Sequence, residues 1–135
     1  WNAVSEGQEF ILTEEMDSQR LVVWAAASGD FYQIHYDDDF AKGNNLPDII
    51  VHGALKGMLV GRLLDEICGT EGRIKNWGVS YRGMDPARRD LTFHATVTKK
   101  YEEDGEKLLD LEVGVKQDDG STETTPGTAT VALPA

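Results

Sequence analysis

An aspartate and a histidine lie five residues apart in this chain, at Asp30 and His35, and a His-Gly pair, His52-Gly53, follows seventeen residues after His35. A carboxylate and an imidazole can together hold a water molecule and remove a proton from it. The apolar periodicity after His52 predicts a helix that begins at Gly53, and the free N–H groups at a helix start can bind an oxygen that becomes negative. These groups together could add water across a polarised double bond.

One long helix is predicted to position these groups. Apolar residues recur at helical spacing from Gly53 to about Cys68, and Gly69 is a suitable C-terminal stop. Glycine costs stability inside a helix, so Gly57 and Gly61 indicate that another part of the protein packs close to this helix.

The other predicted elements are a helix, an extended segment and five strands. The helix covers Leu21–Ala27, with Asp17 or Ser18 as N-cap and Gly29 as stop, and the extended segment covers 30–50 with a helical turn near Asp38–Lys42. The strands are Glu9–Thr13, Ile74–Arg82, Leu91–Tyr101, Lys107–Lys116 and Thr128–Leu133.

The second half of the chain has the pattern of an antiparallel sheet. Gly105 and Gly120 lie in short polar segments between predicted strands and mark hairpin-type connections. Sequential strands joined by short turns pair antiparallel. A long apolar helix combined with such a sheet predicts an α+β domain in which the sheet wraps the helix. The chain has no internal repeat and no linker, so we expect one domain over residues 1–135.

Composition excludes several classes of partner. The 135 residues carry a formal net charge of −11, from 24 acidic and 13 basic residues, which argues against nucleic acid as a main partner. No apolar run approaches the roughly 18 residues of a membrane span, and the N-terminus has no signal pattern, so no membrane partner is expected. Cys68 is the only cysteine, which fits a reducing compartment, and we expect a cytoplasmic protein.

No metal centre is predicted. The run Asp37-Asp38-Asp39 lacks the spacing and the distal Glu of a calcium loop, and is interpreted as a solvated face and helix cap. The chain has no zinc pattern and no glycine-rich phosphate loop. His94 is interpreted as a surface or sheet residue.

Several spaced motifs agree in order with a known family. The motifs are Ala27-Ser28-Gly29-Asp30, His35, Ala41 and Ile50-Val51-His52-Gly53, followed more weakly by Tyr81-Arg82, Pro86, Asp90-Leu91 and the run from Pro126 to Val131. Together they resemble the MaoC-like family of (R)-specific enoyl-CoA hydratases, most sharply over residues 27–61. The resemblance implies a hot-dog fold, in which an antiparallel sheet wraps a long central helix.

The resemblance also implies roles for three residues. Asp30 and His35 would act as one acid–base pair that holds the water, and the backbone N–H of Gly53 would bind the thioester carbonyl. The reaction would be reversible syn addition of water to a trans-2-enoyl-CoA, giving a (3R)-3-hydroxyacyl-CoA. No cofactor is implied, because coenzyme A is part of the substrate. The family builds its acyl channel at a subunit interface, which implies a homodimer or a heteromer with a second hot-dog subunit.

Three departures from the family pattern concern substrate binding. Tyr32-Gln33 replace a frequent Asn-Pro, and the phenol could narrow or reshape the acyl channel. Gly61 occupies the place of a frequent serine, which removes a hydroxyl contact. Arg88 and Arg89 replace part of a Pro-Gly-Asp motif and either approach a coenzyme phosphate or are solvated. With Arg82 they form a local basic cluster suited to phosphate. His52 is expected to support the turn into the long helix.

Two other functions stay open. The chain could be a non-catalytic or half-catalytic subunit of a heteromeric hydratase that acts on a bulky acyl-CoA, because Tyr32 and Gly61 depart from the pattern. A hot-dog acyl-CoA thioesterase is less favoured. It would need an acid on the long helix near the scissile carbonyl, whereas Asp65 and Glu66 lie late in that helix.

Overall fold

A long helix packs against an antiparallel five-stranded sheet in the computed structural model, which describes residues 1–117, 120 and 122–134. In chain order the elements are β1 Glu9–Glu15, α1 Ser18–Ser28, a 3₁₀ helix Gln33–His35, α2 Asp38–Gly43, α3 Gly53–Cys68, β2 Arg73–Val79, β3 Asp90–Glu103, β4 Glu106–Gln117 and β5 Gly127–Leu133. The sheet order is β1-β3-β4-β5-β2, with antiparallel neighbours throughout.

The inner face of the sheet is apolar and holds α3. In β3 every second side chain is buried, from Leu91 through Phe93 and Ala95 to Val97, because successive strand residues point to opposite faces. The helix α3 contacts all five strands and buries Leu55, Leu59 and other apolar residues against them. The predicted wrapped helix is therefore confirmed. No helix in the part of the chain that the structure describes is long and apolar enough to span a membrane.

The second predicted strand extends beyond the strand that the structure shows. The sequence predicted Ile74–Arg82, whereas β2 ends at Val79. The chain leaves the sheet because its next N–H groups find other partners: Ser80 donates to the Pro126 carbonyl at 2.8 Å, and Arg82 donates to the Thr124 carbonyl at 3.0 Å. This pairing is long-range, so local alternation did not reveal it.

Turn residues behave as their chemistry predicts. Asp104 and Gly105 both have positive φ, 52° and 79°, which suits a tight two-residue hairpin loop. Gly29 ends α1 in the left-handed region at φ 79°. The Asp37 side chain caps α2 by accepting the Phe40 N–H, in agreement with its predicted role as a cap. Of the second predicted hairpin connection, Asp118, Asp119 and Ser121 lie outside the described residues.

Gly127 allows β5 to approach β2 closely, where it pairs with Val79. A Cβ at Gly127 would lie 2.0 Å from the Gly78 carbonyl oxygen and 2.9 Å from the Val79 Cα, both backbone atoms. A side chain there would therefore force the strands apart. At Gly78 a Cβ would meet nothing within 4 Å.

We expect Gly127→Ala to lower the free energy of unfolding by about 1–3 kcal/mol, the usual cost of overpacking. Gly78→Ala on the neighbouring strand is the matched control and is expected to stay within about 0.5 kcal/mol of wild type. Urea unfolding of both variants measures the difference. Equal stabilities would show that β5 does not approach β2 this closely.

Candidate active site

Asp30 and His35 face each other across a short gap. His35 Nε2 lies 3.9 Å from Asp30 Oδ2, which exceeds a direct hydrogen bond but lets one water molecule contact both atoms. The chain turn after α1 positions Asp30: its N–H donates to Ser28 Oγ at 3.2 Å, and its Oδ1 accepts the Tyr32 N–H at 3.4 Å. The Asp30 side chain is 48% exposed, whereas that of His35 is buried.

A backbone carbonyl sets the tautomer of the neutral His35 ring. Its Nδ1 lies 2.7 Å from the Ile50 carbonyl oxygen, and a carbonyl can only accept, so we assign the proton of the neutral ring to Nδ1. Nε2 is then an acceptor, and it is the nitrogen that faces Asp30. The two side chains thus offer an acceptor nitrogen and a carboxylate oxygen to one position, which suits removal of a proton from water.

His52 contacts both His35 and Asp30. It is fully buried, its ring stacks on that of His35 with centroids 3.8 Å apart, and its Nε2 lies 3.2 Å from the Asp30 carbonyl oxygen. Burial lowers the pKa of His52, and the neighbouring His35 lowers it further, against the opposing effect of Asp30. A neutral His52 can donate from Nε2 to the Asp30 backbone. The side-chain contacts of His52 are thus with His35 and the Asp30 backbone, and its predicted support of the turn into α3 stays a prediction.

The N-terminus of α3 has free donors. Its N-cap, His52, makes no side-chain capping hydrogen bond, and no residue in the described ranges accepts the Gly53 N–H. The helix dipole adds positive potential at this end. Gly53 also lines a cavity of about 280 Å³ together with His35, Lys56 and Tyr81. The cavity therefore has an imidazole and an uncapped helix N-terminus on its wall.

The Asp30, His35 and His52 group resembles a metal site only by proximity. Their potential ligand atoms lie within 4.8 Å of one another. However, the two rings are nearly parallel, at 20°, and one nitrogen of each contacts a backbone carbonyl. Lone pairs in parallel, stacked ring planes do not converge on one ion, as tetrahedral coordination requires. The arrangement suits proton transfer better than metal binding.

Two aromatic side chains cover the small-residue face of α3. The Tyr81 ring lies over Gly53 and Gly57, where an added Cβ at Gly57 would come within 2.6 Å of the Tyr81 hydroxyl. The Trp77 indole lies over Gly61, where an added Cβ would be 3.2 Å from the ring. The close packing predicted from the glycines is confirmed. Gly61 itself lies two helical turns from Gly53, and the indole adjoins the place of the family's serine side chain.

Tyr32 lies beside the Asp30 and His35 pair. It is 53% exposed and meets His35 edge to face, with ring centroids 6.2 Å apart. Its phenol also meets Phe40 edge to face at 5.9 Å. Tyr32 is therefore a half-exposed aromatic neighbour of the His35 imidazole.

The three predicted phosphate-binding arginines differ in their surroundings. Arg82 is exposed, lines the same cavity as His35, and has no ion-pair partner among the residues described. Arg88 contacts two carboxylates, Asp38 at 3.2 Å and Asp48, so its charge is matched within the chain. The Arg89 side chain is exposed, and its carbonyl accepts the Met16 N–H. Of the three, Arg82 is the best placed for a ligand.

Sequence reasoning missed a buried polar group beside this cavity. Lys56 and Asp85 form an ion pair of 2.8 Å, and Thr124 donates to the same Asp85 oxygen at 2.6 Å. The available signal was Lys56 itself, a charged residue between buried Leu55 and Gly57 on an apolar helix.

The fold and the site together define the class of protein. The sheet wrapped around α3 is a hot-dog fold. The family model described as MaoC like domain matches residues 2–120, and the chain belongs to this MaoC-like dehydratase family.

Known proteins show similarity over nearly the whole chain. The fatty acid synthase beta subunit hexB of Dothistroma septosporum is 29% identical over 131 residues, covering 87% of this chain, which spans only 7% of that subunit. The (R)-hydratase from A. caviae involved in PHA biosynthesis has a similar structure, with a TM-score of 0.88 and 24% identity over 99% of this chain and 100% of that one. The ChsH1-ChsH2 complex from Mycobacterium tuberculosis has a chain with a TM-score of 0.80 and 25% identity, covering 97% and 99%.

The lowered pKa of His52 predicts acid sensitivity of the fold. An unfolded histidine titrates near 6.5, so below that pH the unfolded chain takes up a proton that folded His52 resists. The contribution of His52 to stability is therefore complete above about pH 6.5 and is lost as the pH falls towards its lowered folded pKa. We expect the free energy of unfolding to decrease between pH 7.5 and 5.5, measured by urea unfolding at each pH.

The variant His52→Asn isolates this effect. It keeps a polar side chain near the Asp30 carbonyl but removes the titrating group, so its stability should depend less on pH in the same range. If wild type and variant lose stability in parallel, His52 is not the source of the acid sensitivity.

Proposed function

We propose that this chain is an (R)-specific enoyl-CoA hydratase, which reversibly adds water to a trans-2-enoyl-CoA to give a (3R)-3-hydroxyacyl-CoA. One observation carries the proposal: Asp30 Oδ2 and His35 Nε2 lie 3.9 Å apart, beside the cavity that Gly53 lines. Membership of the MaoC-like family supports it. The substrate, the direction and the roles of the residues belong to the proposal.

The proposed chemistry follows from the positions of the donors and acceptors. A water molecule held between Asp30 and His35 gives up one proton to this pair, and its oxygen forms a bond to the β-carbon. The double-bond electrons move towards the thioester, where the Gly53 N–H stabilises the developing enolate oxygen. The pair then delivers a proton to the α-carbon. Coenzyme A enters with the substrate, so the reaction needs no further cofactor.

Binding of the coenzyme would use the remaining exposed groups. Arg82 lies at the cavity and carries an unmatched charge within the described part of the chain, so it is assigned to a coenzyme phosphate. Arg88 is less suited, because two carboxylates already contact it. Tyr32 would contact the acyl group or the thioester arm at the solvent side of His35.

Asp30→Asn and His35→Ala test the acid–base pair. Loss of a positioned general base lowers rates by about 10²- to 10⁴-fold, and we expect kcat to fall by this factor in each variant. The assay follows disappearance of the near-ultraviolet absorbance of the enoyl thioester, with crotonyl-CoA and with a longer enoyl-CoA.

Asp39→Asn is the matched control, because Asp39 is an exposed acid in the first turn of the nearby α2. It should keep wild-type activity. Folded Asp30 and His35 variants that retain full hydration rates would refute the proposed pair. Release of free thiol without hydration would instead indicate the thioesterase function.

A second proposed function is a partner role in a heteromeric hydratase. Residue 61 is a glycine covered by Trp77, so this face of α3 lacks the hydroxyl that the family's serine would supply. A similar chain occurs in the two-component ChsH1-ChsH2 complex. On this proposal, the chain would shape the acyl channel while a second hot-dog subunit does part of the chemistry.

Size-exclusion chromatography and activity assays separate the two proposals. The hydratase proposal predicts a homodimer that is active alone. The partner proposal predicts a folded chain that is inert with every enoyl-CoA length and gains activity when co-purified with a second hot-dog subunit. A homodimer with full activity would rule out the partner role.

A further inference from the structure

A buried ion pair lies one helical turn along α3 from Gly53. Lys56 is only 2% exposed, and its Nζ donates to Asp85 Oδ2 at 2.8 Å and to the Gly83 carbonyl at 3.2 Å. Asp85 is fully buried. Removing two charges from water carries a large desolvation cost, and a well-packed apolar pair is often as stable or more so. A contribution to stability is therefore a weak explanation for the presence of this buried ion pair.

The pair fixes a segment that contacts the entrance to α3. The Asp85 side chain has a second partner in Thr124, whose hydroxyl donates to Oδ2 at 2.6 Å. Thr124 is itself bonded through its backbone, since its carbonyl accepts the N–H groups of Arg82 and Gly83, both at 3.0 Å. Asp85 is thus held by α3 through Lys56 and by the segment before β5 through Thr124.

The Asp85 backbone connects this pair to the candidate catalytic histidine. The Asp85 carbonyl accepts the Val51 N–H at 2.8 Å. That N–H belongs to the same peptide group as the Ile50 carbonyl, which accepts from His35 Nδ1 at 2.7 Å. Hydrogen bonds in such a chain polarise and orient one another. The Ile50–Val51 peptide is therefore held between Asp85 and the imidazole.

We propose that Lys56 and Asp85 are positioning residues for His35. By fixing Asp85, Lys56 fixes the Ile50–Val51 peptide in the orientation that keeps the proton on His35 Nδ1 and leaves Nε2 facing Asp30. Neither residue is assigned a contact with the water or the substrate. The effect on catalysis rests on the proposed hydratase function, whereas the effect on the tautomer of His35 does not.

The double variant Lys56→Met/Asp85→Asn tests this inference. It removes both charges together, so neither is left buried and unpaired. The expected result is a folded protein whose kcat for crotonyl-CoA falls by about ten- to a hundredfold, as small misplacements of a catalytic group do, with KM within about twofold of wild type. In ¹⁵N NMR spectra, the ring of His35 should change from the Nδ1–H tautomer to a mixture of both tautomers.

The matched control is Arg62→Met/Glu66→Gln. These residues form an exposed ion pair on the same helix, with Nε and Oε1 3.2 Å apart. Removing that pair should change neither kcat nor the His35 spectrum.

A smaller perturbation of the Lys56 and Asp85 pair is Thr124→Val, which removes one hydrogen bond to Asp85 and leaves both charges. It should change kcat and the tautomer in the same direction but less, and Thr124→Ser should restore wild-type behaviour.

The outcomes separate positioning from stability. If the Lys56/Asp85 variant is less stable but keeps wild-type kcat and the Nδ1–H tautomer, the pair is only structural and the inference is overturned. If that variant does not fold, the Thr124 pair of variants decides by the same two measurements. If wild type does not hydrate enoyl-CoA, the proposed function fails, and the tautomer measurement alone still decides the role of the pair.

Discussion

The hydrogen bond between His35 Nδ1 and the Ile50 carbonyl is the contact on which the site depends. At 2.7 Å it sets which imidazole nitrogen carries the proton and which faces Asp30. It also joins the 3₁₀ turn that carries His35 to the segment that leads into α3. The neighbouring Ile50 N–H donates back to the Ile34 carbonyl at 2.9 Å, which makes the link two-sided.

The N-terminus of α3 lacks a stabilising side-chain cap, which leaves its first backbone N–H groups without a partner in the part of the chain that the structure describes. Most helices place Ser, Thr, Asp or Asn at the N-cap, and replacing such a cap costs about 1 kcal/mol. Here the N-cap is His52, which turns its ring towards His35 and the Asp30 carbonyl and leaves the first N–H groups of the helix uncapped. Packing of α3 against every strand of the sheet stabilises the helix and offsets the missing cap. A helix packed in this way tolerates backbone N–H groups at its end that have no hydrogen-bond partner.

The features that could be predicted from the sequence are those set by residues close together in the chain. The bounds of α3 followed from apolar spacing between Gly53 and Cys68, and the spacing of Asp30 and His35 indicated the acid–base pair. The end of β2 could not be predicted, because it depends on pairing with residues more than forty positions later. For the same reason the glycines on α3 predicted a close neighbour without identifying it as Trp77 or Tyr81.

Lys56 shows where local and tertiary preferences disagree. A lysine between apolar residues of a central helix is unfavourable unless a partner is supplied, and the partner, Asp85, lies 29 residues away. Sequences that fold well seldom retain such a conflict without a gain elsewhere, and functional sites are where the gain is expected. The gain that we propose is orientation, because the Asp85 carbonyl accepts from the peptide whose own carbonyl accepts from His35. Lys56, a charged residue inside the apolar stripe of α3, was therefore the sequence signal for this buried network.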